Sequence, residues 1–322
     1  MHALVYAMKK HIFCLALLLA GAVAHAQDYP NKPIKVVVPF APGSAVDFSS
    51  RFHAEKLSQV LGRPVVVENR PGANSVIGFM AVKDAPADGY TILAASNSTM
   101  TVNPWTVKNL PYDPLKDFRP IAGLFRGHAA FVVPANSKAK TLQDLIAAGR
   151  SGEITVGTYA TGYSLFTHLF AQESGAKVAI VSYKGLSQAM SDLVGGSLDL
   201  TVVDLGGALP FVRDGRARML AVSGETRNPE QPDVPTVREA GLPGYSAYTW
   251  VAFFMRAGVP DPYADRIAAA MQKVLDAQEA RDFARKHGAE QMPHGPEALG
   301  KFLRAEYDRL RGIAQAAGVK PE

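Results

Sequence analysis

Short runs of apolar, mostly β-branched residues alternate with helix-period segments along most of the chain. Ile34–Val38 (IKVVV) reads as a buried strand, and the turn PFAPGSAVD follows it. Over 46–61 the apolar positions recur at helical spacing, with Val46, Phe52, Leu57 and Leu61 inward. A strand at 65–67, a helix at 76–83 and a strand at 91–95 complete a β-α-β-α-β order. That order predicts a parallel sheet covered on both faces.

The pattern restarts after the Pro-rich stretch PYDPLKDFRP at 111–120. Strands are expected at 131–133, 154–156, 179–181, 198–203 and 219–222. Between them fall helices at 142–150, capped by Thr141, at 165–173 and at 186–194. The last third reads as mostly helical, over 263–275, 280–287 and 296–316. Two α/β units of this kind suggest two lobes with a ligand between them, because open α/β sheets bind ligands at the carboxyl ends of their strands.

The first 26 residues do not share this pattern. Lys9 and Lys10 precede the apolar run IFCLALLLAGAV, which is too short to span a bilayer, and Ala24-His25-Ala26 is a small-x-small cleavage site. The segment reads as a secretory leader cleaved after Ala26, which places the protein in the periplasm. Losing Lys9 and Lys10 brings the formal charge from +5 to +3, far from a nucleic-acid binder's footprint. The lone Cys14 leaves with the leader, so no disulfide or cysteine-ligated metal is expected. At 48% apolar and 20% charged, the chain can bury full cores and is not disordered.

Three loops could hold an anion. Pro39 to Asp47 leaves a strand, turns on Pro42-Gly43 and enters a helix. Its unpaired N–H groups carry partial positive charge, and the Ser44 hydroxyl adds a donor. Tyr159 to Ser164 is a second strand-to-helix turn containing Gly162, and 94–99 (AASNST) follows the third strand with Ser96 among its small polar residues. No nucleotide-phosphate motif is present. No H-x-x-x-H pair and no G-x-S-x-G elbow occurs, so no metal or cofactor is assigned. His168 reads as a helix-face residue. Asp204, after a strand, faces either the cleft or its own helix start. Trp250 and Tyr248, at strand spacing, read as core and rim.

With these loops in view, the sequence resembles the Bug family, the periplasmic receptors of tripartite tricarboxylate transporters. The resemblance is carried by YPNKPIKVVVPFAPGSAVD, LGRPVVVENRPGAN with Gly78, DGYTIL, LPYDPLKDFRPIAG, the triplet Tyr183-Lys184-Gly185, DVPTVREAGLPGY and the closing helix with Glu306. It implies a type II periplasmic-binding-protein fold, α/β, with two lobes around a central ligand cleft. Lobe one would comprise 27–126 plus 225–322, and lobe two 127–224. One ligand carboxylate would be held by backbone amides and waters at Phe40, Ala41, Gly43, Ser44, Ala45 and Asp47, and at Thr161, Gly162, Tyr163, Ser164 and His168. Ser96 and Asp204 join them.

The resemblance implies a receptor without catalysis, a monomer that closes on a small organic carboxylate for integral membrane transporter subunits. The alternatives are a sensor for a membrane kinase, or a secreted hydrolase using Ser164, His168 and Asp204. Two departures from the family pattern bear on the ligand. Ser44 and Ser164 replace glycines, and Leu165 stands where a hydroxyl would donate. They set a bulkier or aromatic carboxylate against a small dicarboxylate.

Overall fold

A computed structural model describes residues 29–292 and 295–321, so the leader falls outside the described residues. In chain order the elements are β1 (Ile34–Val38), α1 (Ala45–Leu61), β2 (Val65–Asn69), α2 (Val76–Lys83) and β3 (Thr91–Ser96). A π-helical turn (Ser98–Val102) runs into α3 (Asn103–Thr106), then β4 (Phe118–Gly127) and β5 (Ala129–Pro134). The middle of the chain forms α4 (Leu142–Ser151), β6 (Glu153–Thr158), α5 (Thr161–Ser174), β7 (Lys177–Ser182), α6 (Leu186–Val194), β8 (Leu200–Asp204), α7 (Leu205–Arg213) and β9 (Ala217–Val222). β10 (Thr249–Arg256), α8 (Asp261–Asp276), α9 (Gln278–Lys286), β11 (Ala289–Glu290) and α10 (Pro296–Ala316) close the chain.

Two sheets result. The first has the order β11-β4-β10-β3-β1-β2, and the second β7-β6-β8-β5-β9. In the first, β1 runs parallel to β2 and β3, as the alternation predicts, with Val36 beside Val67 and Ile92. β10 enters antiparallel between β3 and β4. In the second, β6 is parallel to β7 and β8, while β5 is antiparallel to β8 and β9. Both sheets are therefore mixed.

Besides the two-residue β11, the strands absent from the sequence reading are β4 and β10. β4 contains Pro120, and β10 (TWVAFFMR) is apolar at nearly every position, so neither shows period-two alternation. Both are buried on both faces, which removes the polar face that alternation needs.

Helix ends follow local chemistry. Thr141 and Asp144 form a reciprocal capping box on α4. Gly62 and Gly175 end α1 and α5 in the left-handed conformation. α10 belongs to both cores: Leu299 and Leu303 join the core of Phe118 and Trp250, whereas Leu310 and Ala314 join that of Phe131 and Tyr245.

Candidate functional site

The parallel strands of both sheets point their carboxyl ends at the seam between the lobes, and the loops they feed meet there. In the first loop Gly43 carries a φ of 83°, where a side chain would be strained. Ser44, with φ −75°, is in ordinary extended backbone, so serine in place of glycine leaves the turn unstrained. Its hydroxyl accepts the Asp47 N–H at 3.2 Å. The buried Asp47 carboxylate accepts from the Gly43 N–H at 2.9 Å, Asn69 Nδ2 at 2.8 Å and Arg51 Nε at 3.1 Å. Burial opposes its charge, but Arg51, the Gly43 N–H and Asn69 outweigh it and hold the carboxyl below its ordinary value. Asp47 thus braces the loop from behind and lines none of the three cavities described below. The N–H groups of Ala45 and Val46, at the start of α1, have no helical acceptor.

The second loop is shorter than the sequence suggests, because α5 begins at Thr161, a turn earlier than expected, and Ala160 gives it no side-chain cap. The Thr161 hydroxyl donates to Asn103 Oδ1 at 2.8 Å, and the Gly162 N–H to Ser98 Oγ at 3.1 Å. Both bonds cross the seam. Ser164 shares a hydrogen bond with Thr158 at 2.8 Å, and Leu165 is buried in the second lobe's core rather than facing the cleft. His168 is half-buried one turn further along α5.

The Tyr159 hydroxyl donates to Asp204, whose other oxygen accepts the Gly207 N–H at 2.7 Å and caps α7. Burial pushes the Asp204 carboxyl up, against the tyrosine and amide bonds that favour its charge. The capping reading of Asp204 is the one its contacts show, with Tyr159 between it and the cleft. Ser164 and Asp204 therefore spend their bonds on Thr158, Tyr159 and Gly207.

The seam holds a groove of about 560 Å³. Phe40, Ala41, Ser98 and the 71–75 loop line it from one lobe, and Tyr159 to Thr161 with Ser182 to Lys184 from the other. Lys184 is the single charged residue among them. Four successive residues of the rim have positive φ: Gly72 (122°), Ala73 (46°), Asn74 (50°) and Ser75 (73°). Such strain persists only where the surroundings hold it, and Asn103 Nδ2 donates to the Asn74 carbonyl at 2.8 Å. Gly78 belongs to the same support, since a Cβ there would come within 2.6 Å of Pro39 Cβ.

Beneath the groove, sharing Phe40, Ser98, Tyr159 and Ala160 with it, is a chamber of about 20 Å³ lined by Ser44 to Val46, Ser96 to Ser98, Tyr163 and Thr249 to Val251. No charged residue lines it. A further cavity of about 440 Å³ adjoins the crossovers near His128 and Asn228. Its arginines are neutralised: Arg126 by Glu290, Arg227 by Glu239 and Arg285 by Asp282. Among the described residues no cluster of three histidine, cysteine or carboxylate side chains could hold a metal ion, and no helix is long and apolar enough to cross a membrane.

Residues 50–319 match the model of the tripartite tricarboxylate transporter family receptor. The chain belongs to that family. BugT of Bordetella pertussis is 32% identical, the match covering 96% of this chain and 96% of BugT. The structure of Rpa4515 of R. palustris with adipate superposes with a TM-score of 0.88 at 30% identity, over 92% of this chain and all of that one. MatC of Rhodopseudomonas palustris with bound malate gives 0.83 at 26% identity, over 88% and 99% of the two chains. The fold is that of a periplasmic solute-binding protein, two α/β lobes around a central cleft. Sequence reasoning named Phe40, Ala41, Thr161 and the loop that opens at Tyr159, but missed the 71–75 rim and Ser182 to Lys184 as lining residues. The stretch NRPGAN, rich in turn formers and leading through the positive-φ residues 72–75, was the available signal.

Proposed function

We propose that this chain is a non-enzymatic periplasmic receptor that closes on a small organic dicarboxylate and presents it to integral membrane transporter subunits. One observation carries the reading: the groove between the lobes is flanked by the N-terminal ends of α1 and α5, holds one lysine and is lined by no acid. Helix N-termini and a lone ammonium favour an anion. The adipate and malate held by the two solved relatives support the dicarboxylate class over an aromatic one. The ligand-binding set is Phe40, Ala41, Gly43, Ser44, Ala45, Ser96, Thr161, Gly162 and Tyr163, with Asp47, Ser164, His168 and Asp204 supporting them from behind.

Lobe one is taken from 27–126 and 225–322, and lobe two from 127–224, with the leader cleaved after Ala26. Closure follows from differential affinity: a ligand touching both lobes stabilises the state in which they meet, and that state is the one the transporter reads. A thermal-shift panel of aliphatic and aromatic mono-, di- and tricarboxylates tests this. A ligand at 100 times its Kd is expected to add about 2.7 kcal/mol of stability. Silence across the carboxylates with a response to sugars or cations overturns it.

A further inference from the structure

The rim at 71–75 walls the groove from the first lobe, yet little holds it in that shape. Ala73, Asn74 and Ser75 all have positive φ, a region that costs residues with a side chain energy. Residues 71–74 are exposed, so no core packing offsets that cost. Among the described residues a single hydrogen bond ties 71–74 to a distant part of the chain, from Asn103 Nδ2 to the Asn74 carbonyl at 2.8 Å.

Asn103 is fully buried at the start of α3 and does not line the groove. Its partners fix which way its amide points. The Tyr112 hydroxyl gives its proton to the Thr99 carbonyl at 2.7 Å, and so accepts from Asn103 Nδ2 at 3.1 Å. The Asn74 carbonyl can only accept. Both amide hydrogens are therefore spent inside the first lobe, and Oδ1 faces the seam. Its donor there is the Thr161 hydroxyl, at 2.8 Å, on the first turn of α5 in the second lobe. Thr161 and Asn74 both line the groove, so one amide joins a wall of one lobe to a wall of the other.

Resting on the receptor reading, we infer that Asn103 is a positioning residue that couples the rim to closure: the 71–75 loop takes its groove-lining shape when Thr161 docks on the Asn103 amide, and loses it when the lobes part. Accepting from Thr161 polarises the amide toward its Nδ2 partners and holds its plane. With Thr161 withdrawn, water reaches Oδ1, the amide is free to turn, and the strained rim relaxes. A ligand that draws the lobes together thus builds one of the walls that enclose it.

Hydrogen–deuterium exchange of the 72–76 amides, with and without adipate, tests this, and calorimetry reports binding separately. In the wild-type chain saturating adipate is expected to slow these amides about tenfold or more. In Thr161→Val, at adipate concentrations that saturate the variant, they are expected to exchange as in the ligand-free wild type. Valine keeps the shape of threonine and removes only the hydroxyl, and Thr161→Ser, which keeps the hydroxyl, should restore the protection. Asn103→Asp, which keeps an acceptor for Thr161 and removes the donor to Asn74, should behave as Thr161→Val does. A wild-type rim equally protected with and without bound adipate overturns the coupling and leaves the receptor reading standing, whether or not any variant folds. Full rim protection in adipate-saturated Thr161→Val does the same. If calorimetry finds no carboxylate bound to the wild-type chain, the receptor reading falls and the coupling with it.

Discussion

The Gly162 N–H donates to the Ser98 hydroxyl at 3.1 Å, tying the first turn of α5 to the loop after β3 in the opposite lobe. A side chain at 162 has nowhere to go, because its Cβ would meet Ser98 Oγ at 2.5 Å and Asn97 Nδ2 at 2.6 Å. Gly162→Val is therefore expected to hold the lobes apart and weaken carboxylate binding about tenfold or more, while each lobe stays folded. Calorimetric titration beside a circular-dichroism melt checks this. Unchanged affinity in a folded variant removes the loop from the site.

Lys184 gives a prediction about selectivity. As the groove's single charge, its ammonium is placed to meet the outer carboxylate of a dicarboxylate and not a monocarboxylate's apolar tail. Lys184→Gln is expected to lower adipate affinity about fivefold and leave hexanoate unchanged, with the difference shrinking at high salt. Equal losses for both ligands would assign the lysine a structural part instead.

Asp47 supports the first loop through Gly43, Asn69 and Arg51. Asp47→Ala is expected to destabilise the protein by about 1.5–3 kcal/mol, since it removes the buried, charged acceptor of three hydrogen bonds. Because the native carboxyl titrates below its unfolded value, its contribution is present above the unfolded pKa near 3.9 and is lost as pH falls through the lower native one. Urea denaturation of wild type and variant at neutral and acid pH measures both effects. A loss independent of pH would contradict the charge assignment.

His53 acts in a different pH window. It is 2% exposed on α1, its Nδ1 sits 2.8 Å from the Ser49 carbonyl, and burial lowers the imidazole to about 4. The unfolded chain takes up a proton near pH 6.5 that the native state refuses until about pH 4. Stability should fall by up to about 3 kcal/mol as pH drops through that interval. In His53→Gln that slope should flatten, whatever the variant's stability at pH 7. An unchanged slope would place the titration elsewhere.

The strand–helix alternation was legible because each parallel strand carries its own apolar run and the helices between them keep helical spacing. Thr141 announced α4, and the helix bounds at 76–83, 186–194 and 296–316 follow from periodicity alone. β4 and β10 were not legible, since their pairing joins residues more than a hundred positions apart and neither shows a polar face. In the site, the glycine loops were readable from turn chemistry. That Asn97 and Trp250 line the small chamber was not: Trp250 reads as core and its ring is core, and Asn97 sits in a loop whose fold only the structure gives.

The placement of β10 in the middle of the first sheet fixes an order of events during synthesis. The second sheet, 129–222, is contiguous and can close once its own last strand has emerged. The first cannot, because β3 and β4 are held together by a strand that leaves the ribosome more than a hundred residues after them, and α10 follows later still. Until residue 256 is made, β3 and β4 each have an unpaired edge, a surface suited to chaperones and to aggregation alike. Folding of the first sheet is thus paced by the C-terminal part of the chain, after the second sheet has had its own strands to hand.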